Sequence, residues 1–224
     1  MADPITKLTP ADLSALMCAR ICHDLINPVS AIGTALEVLD DPSNADMHDD
    51  AMDLVRNFTQ QASGKLQFLR LAFGAGGSAP GVVSLDQLKS LCDGRYSEGK
   101  IALNWEDTTL DGLEKTSARL LLNMIMLATT CIPRGGDIKI SLSATGDAVI
   151  ADVAAKGTKA RIEDMVSTTL AGKAPQDGFD GRSIQPFYTG MLVRQLKGRI
   201  DTGLDGETAR LTAFIPTIEA QRAA

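Results

Sequence analysis

Apolar residues recur every three or four positions from Thr9 to Phe73 with one interruption, then give way to short alternating runs separated by turn residues. The first pattern is that of amphipathic helices and the second that of strands mixed with helices. Thr9 is an N-cap with Pro10 at the first helical position, and the helix it starts runs to Leu39, where Asp40-Asp41-Pro42 stops it. A second helix begins near Ser43 or Asn44, has an acidic first turn that suits the helix dipole, and continues to about Phe73. The short connection predicts an antiparallel hairpin. At about 100° per residue, Cys18, Ile21, Cys22, Leu25, Val29, Ile32, Leu36 and Leu39 share one stripe of the first helix. On the second helix the stripe is Met47, Ala51, Leu54, Val55, Phe58, Ala62, Leu66, Leu69 and Phe73. A lone hairpin leaves the far side of its seam in water. A homodimer, with the hairpins paired as a four-helix bundle, is therefore expected, although a following domain would also cover one stripe.

The stretch from Gly74 to Gly81, rich in glycine and closed by Pro80, predicts a linker and divides the chain into residues 1–75 and 82–224. After it, Leu85 to Asp93 reads as helix, Lys100 to Trp105 as strand and Glu114 to Thr130 as helix. Asp137 to Ser143 and Ala148 to Ala154 form a hairpin around Thr145-Gly146-Asp147. Helices near Ile162 to Leu170 and Pro186 to Leu196 follow, then strands Arg199 to Gly203 and Thr208 to Ile215 around Asp205-Gly206.

A net charge of −6 over 224 residues argues against nucleic acid or an anionic membrane as primary partner, because both select a basic face. No apolar run is long enough to span a bilayer and the N-terminus lacks the apolar core of a signal peptide, so a cytoplasmic protein with protein partners is expected. Cys18, Cys22, Cys92 and Cys131 form no CxxC pair, which fits a reducing compartment. Cys18, Cys22 and His23 lack a fourth metal ligand, and the helical wheel sets the histidine apart from the cysteines.

The chemistry concentrates at His23, one of only two histidines. Imidazole is the side chain whose neutral form is both abundant near neutral pH and nucleophilic at nitrogen. The wheel places His23 opposite the apolar stripe, with Leu16, Arg20, Asn27, Ser30 and Thr34 on the same outer side. Asp24 is placed to accept from Nδ1–H in a favourable rotamer, leaving Nε2 free to attack phosphorus. Pro28 leaves the Asp24 carbonyl without its helical donor and bends the helix, at a cost of about 3 kcal/mol. Arg20, one turn before His23, is within reach of a phosphoryl oxygen or is simply a solvated charge.

His23-Asp24-x-x-x-Pro28 resembles the H-box of the dimerisation and phosphotransfer domain of two-component histidine kinases, and the hairpin resembles that domain as a whole. The element order after the linker resembles the Bergerat ATPase α/β sandwich that follows this hairpin in kinases. Its nucleotide residues are replaced. Leu127 stands where the family places a magnesium-binding asparagine, and a leucine offers no oxygen to a hard cation. Ala155 and Lys159 stand for the aspartate and second glycine of the adenine-binding box. Ser183-Ile184-Gln185-Pro186 occupies the place of a glycine loop whose amides would cradle phosphate.

A hairpin with an H-box fused to a degenerate ATPase frame is identified as a member of the ChpT-type histidine phosphotransferases of alphaproteobacteria. The resemblance implies a homodimer that binds no ATP and has no cofactor of its own, magnesium being brought by the partner receiver domain. It implies that His23 takes a phosphoryl group from the receiver aspartate of a CckA-type hybrid kinase and passes it to CtrA and CpdR-type response regulators in cell-cycle control. On this reading Asp24 orients the ring, Arg20 or Asn27 touches the phosphoryl group and Pro28 shapes the bend. Docking falls on the outer face around Ala31, Thr34 and Ala35. An ATP-dependent histidine kinase with a divergent site and a non-catalytic dimeric scaffold are the alternatives.

Overall fold

The computed structural model describes residues 5–74, 81–97 and 99–217. Helix α1 spans Pro10–Asp40, with the Thr9 hydroxyl accepting from the Asp12 amide. A 3-10 turn over Pro42–Met47 precedes α2, His48–Ala72, so the second helix proper starts a few residues later than the sequence indicates. Asp41 caps this turn: its carboxylate accepts from the Ser43 amide and hydroxyl, which holds its pKa below the usual value. The interior of the predicted linker, residues 75–80, lies outside the described residues.

The remainder runs β1 (Val82–Ser84), α3 (Leu85–Tyr96), β2 (Ile101–Trp105), β3 (Gly112–Glu114), α4 (Lys115–Cys131), β4 (Gly136–Ala144), β5 (Ala148–Lys156), α5 (Asp164–Leu170), α6 (Ile184–Gln195), β6 (Arg199–Asp205) and β7 (Thr208–Pro216). Five strands form a mixed sheet in the order β2-β4-β5-β7-β6, with β2 and β4 parallel and the other pairs antiparallel. β1 and β3 pair antiparallel as a separate two-stranded ribbon that the sequence pattern did not reveal, being only three residues each.

The core is built around α4. It is apolar on nearly all sides, and Leu120, Leu121, Leu122, Met124, Ile125, Leu127 and Ala128 are each at most 1% exposed, as expected of a helix enclosed by its neighbours. Ile138, Ile140, Val153 and Leu211 cover it from the sheet, and Phe68, Leu69 and Ala72 bring the end of α2 into the same cluster. Asn123 closes this junction. Its amide nitrogen donates to Ala72 O at 2.9 Å, and Gln185 on α6 donates to its side-chain oxygen at 3.1 Å. Among the described residues no helix is long and apolar enough to cross a membrane.

The orientation of α1 corrects the sequence reading. Pro28 and Ala35 are its buried residues, and Arg20, Ile21, Asp24, Leu25 and Ala31 lie on the same partly covered face. Cys18 and Cys22 are exposed, as are Val29 at 53% and Leu36 at 45%. The cysteines therefore face out in the single chain. The helical wheel does not reveal that Asp24 is covered and paired with Arg20 and Arg95.

Candidate functional site

His23 sits midway along α1 with its side chain 69% exposed. The helix begins at a capped N-terminus and carries Pro28 just beyond this segment, buried against the rest of the molecule. The imidazole is thus carried in the interior of a long helix and exposed to solvent. Its Nδ1 lies 3.6 Å from Asp24 Oδ1, outside hydrogen-bond distance yet close enough for the carboxylate field to act on the ring.

Asp24 is only 8% exposed and is occupied mainly by arginine. Arg20 Nη2 lies 3.1 Å from Oδ1, one helical turn away, and Arg95 Nη2 donates to Oδ2 at 2.7 Å. Arg20, which the sequence offers as a phosphoryl contact or a solvated charge, is 17% exposed and holds Asp24. Arg95 is the neighbour of Asp24 that sequence reasoning missed. It comes from the last turn of α3, 71 residues away in the chain, and no local motif marks it.

Of the remaining predicted contact residues, Asn27 and Thr34 are exposed on α1, and the Thr34 hydroxyl donates to the Ser30 carbonyl within the helix. Ala31 is half-buried. Ala35 is 4% exposed, so its expected contact with a partner protein is corrected: the side chain packs inside the hairpin because it lies on the Pro28 face.

Leu127 is 1% exposed and helps line a cavity of about 230 Å³ with Thr130, Glu163, Val166, Gln185 and, from the hairpin, Arg20. Ala155 is fully buried in β5. Lys159 occupies a left-handed backbone position, φ 62°, in the turn after that strand. Before α6, Asp180 Oδ1 accepts from the amides of Arg182 and Ser183 at 2.9 and 2.7 Å. These bonds, the Ser183 amide first among them, hold the Asp180 carboxyl below its usual value. The start of α6 is thus an aspartate turn whose own carboxylate takes up the amides that a bound phosphate would need.

The family model for the histidine phosphotransferase C-terminal domain matches residues 85–208. Protein phosphotransferase ChpT of Brucella abortus is 36% identical over 195 residues, covering 87% of this chain and 91% of that protein. A bacterial phosphotransferase of known structure superposes with a TM-score of 0.83 and 31% identity, over 94% of this chain and all of the other. The histidine kinase AdeS of Acinetobacter baumannii aligns at a TM-score of 0.47 and 14% identity, over 88% of this chain and 98% of that one.

Proposed function

The chain belongs to the histidine phosphotransferase family, and on that premise we propose that His23 is the residue that carries the phosphoryl group between the receiver aspartates of a phosphorelay. The observation that carries this reading is an exposed imidazole whose neighbouring carboxylate is buried and fixed from two sides. Nε2 attacks the phosphorus of an aspartyl phosphate in line. The N–P bond forms as the P–O bond breaks, the receiver's carboxylate departs with the electron pair, and Nδ1 keeps its proton beside Asp24. Attack by a second receiver's aspartate reverses the step. The receivers supply magnesium, so this chain has only to present an oriented ring and a docking face.

Both Asp24 oxygens face guanidinium groups, Arg20 at 3.1 Å and Arg95 at 2.7 Å. Leu127, Ala155, Lys159 and the aspartate turn before α6 favour transfer over ATP-driven autophosphorylation. We assign transfer and dimerisation to residues 1–75 and a kinase-like frame without nucleotide chemistry to residues 82–224. The homodimer forms through the exposed stripe of the hairpin, which includes Ile26, Val29, Leu36, Leu54 and Leu66. The donor is the receiver of a CckA-type hybrid kinase and the acceptors are CtrA and CpdR-type regulators in the cytoplasm, giving the relay a role in cell-cycle control. Asn27, Thr34 and half-buried Ala31 mark the contact face on α1.

A phosphorylated receiver labelled with radioactive phosphate tests the assignment. The wild-type chain takes up label, and His23→Ala takes up none while keeping its oligomeric state. Label on the His23→Ala variant places the acceptor elsewhere.

A further inference from the structure

Asp24 belongs to two parts of the molecule at once. Arg20 on its own helix faces one carboxylate oxygen, and Arg95 on α3 donates to the other at 2.7 Å. We propose that Arg95 is a positioning residue for phosphoryl transfer, acting through Asp24 to set the charge surroundings of His23, a role that rests on the shuttle reading above.

Four observations converge on Arg95. First, its side chain is 10% exposed and its Nε and Nη1 atoms are buried without a hydrogen-bond acceptor, so among the described residues Asp24 is its carboxylate partner. Second, the guanidinium lies 4.9 Å from the Phe68 ring centroid and 5.4 Å from that of Tyr96. These rings meet edge to face at 5.8 Å and restrict how the fork can turn.

Third, the preceding residue fixes where α3 lies. α2 and α3 touch backbone to backbone at Gly64 and Gly94, where a Cβ on Gly64 would stand 1.9 Å from the Gly94 carbonyl oxygen. Helices can approach this closely only where side chains are absent, and the contact delivers Arg95 onto Asp24.

Fourth, the charges are arranged against a protonated imidazole. Asp24 alone, beside His23, would favour imidazolium, which has no lone pair with which to attack phosphorus. Arg20 from α1 and Arg95 from α3 offset that charge, and Lys65 from α2 adds a third cation near the same carboxylate. The Lys65 ammonium is itself pushed down by partial burial and then by repulsion from Arg95. Tyr96 and Cys92 also lie beside the pair, and burial drives both toward their neutral forms. The carboxylate that faces the ring at 3.6 Å is thus offset by cations on three helices.

The test compares wild type with Arg95→Gln and Arg95→Lys by two readouts. The titration of His23 is followed by nuclear magnetic resonance on the full chain without any receiver. Arg95→Gln moves it to higher pH, because Asp24 is freed to stabilise imidazolium, whereas Arg95→Lys stays near wild type. Single-turnover transfer from a phosphorylated receiver is measured across receiver concentrations. Arg95→Gln slows the first-order step at saturation by about tenfold or more and leaves half-saturation within about twofold. Arg95→Lys keeps the charge but loses the planar fork, and slows the same step by a smaller factor. Should Arg95→Gln fail to fold, as judged by circular dichroism, the slowed step in Arg95→Lys carries the test. An unchanged His23 titration in folded Arg95→Gln overturns the proposal, as does a loss confined to half-saturation or a wild-type rate in Arg95→Lys. Absence of transfer in the wild type would sink the shuttle reading, while the titration still reports whether Arg95 governs the ring.

Discussion

At the residue scale, the pair that matters most is Asp24 with Arg95, both nearly enclosed. Removing one member of a buried ion pair leaves the other uncompensated, so Asp24→Ala is expected to destabilise the fold by about 3–5 kcal/mol. Chemical denaturation measures this, and a loss under 1 kcal/mol would mean that the pair behaves as a solvated surface contact. The four cysteines give a second prediction. Burial pushes the Cys92 thiol up to about 12 and Cys131 up to about 11, so neither presents thiolate near pH 8, whereas Cys18 and Cys22 are exposed. Alkylation of the chain in monomeric form, read by peptide mass spectrometry, labels Cys18 and Cys22 first; equal labelling of Cys92 contradicts the packing. His23, Asp24 and Pro28 were legible in the sequence because they lie within six residues of one helix. Arg95 was not, since its role arises only when α3 crosses α2.

At the scale of elements, the order of helices and strands was readable from periodicity and turn residues, and the structure departs from it by a few residues at most ends. Two things were not readable. The β1–β3 ribbon is too short to carry an alternation, and the rotation of α1 depends on partners elsewhere in the chain. Arg20 reads as solvent-facing in an amphipathic wheel because charged residues are normally outside; its pairing with Asp24, which Arg95 also holds, inverts that expectation. The α2–α3 crossing is the element most open to test. Gly64→Ala forces the helices apart against a backbone oxygen, with an expected cost of about 1–3 kcal/mol in urea unfolding. A stability equal to wild type would show that the crossing is looser than described. The aspartate caps at Asp41 and Asp180 have depressed pKa values. Their contribution is therefore present above the unfolded aspartate value and lost as pH falls through the lower folded value, so these turns weaken in the acid range below about pH 4.

At the scale of the whole molecule, the α/β half and the end of α2 share one core, while the outer stripe of the hairpin remains open. A stripe with Val29 and Leu36 about half exposed is what a second hairpin would cover. Val29→Glu together with Leu36→Glu is expected to convert a dimer to a monomer in light scattering, and a double variant with the mass of the wild type argues against that interface. The proposed loss of nucleotide chemistry rests on Leu127, Ala155 and Lys159, none of them a residue type that supplies the oxygen ligand, carboxylate or glycine of the kinase boxes. That an aspartate turn and Arg20 stand around the same region required the fold. The central claim is that His23 receives its phosphoryl group from another protein's aspartate. Parallel incubations with radiolabelled ATP alone and with a purified radiolabelled phospho-receiver decide it: label appears on wild type only with the receiver and is absent from His23→Ala, whereas labelling by ATP alone would contradict the account.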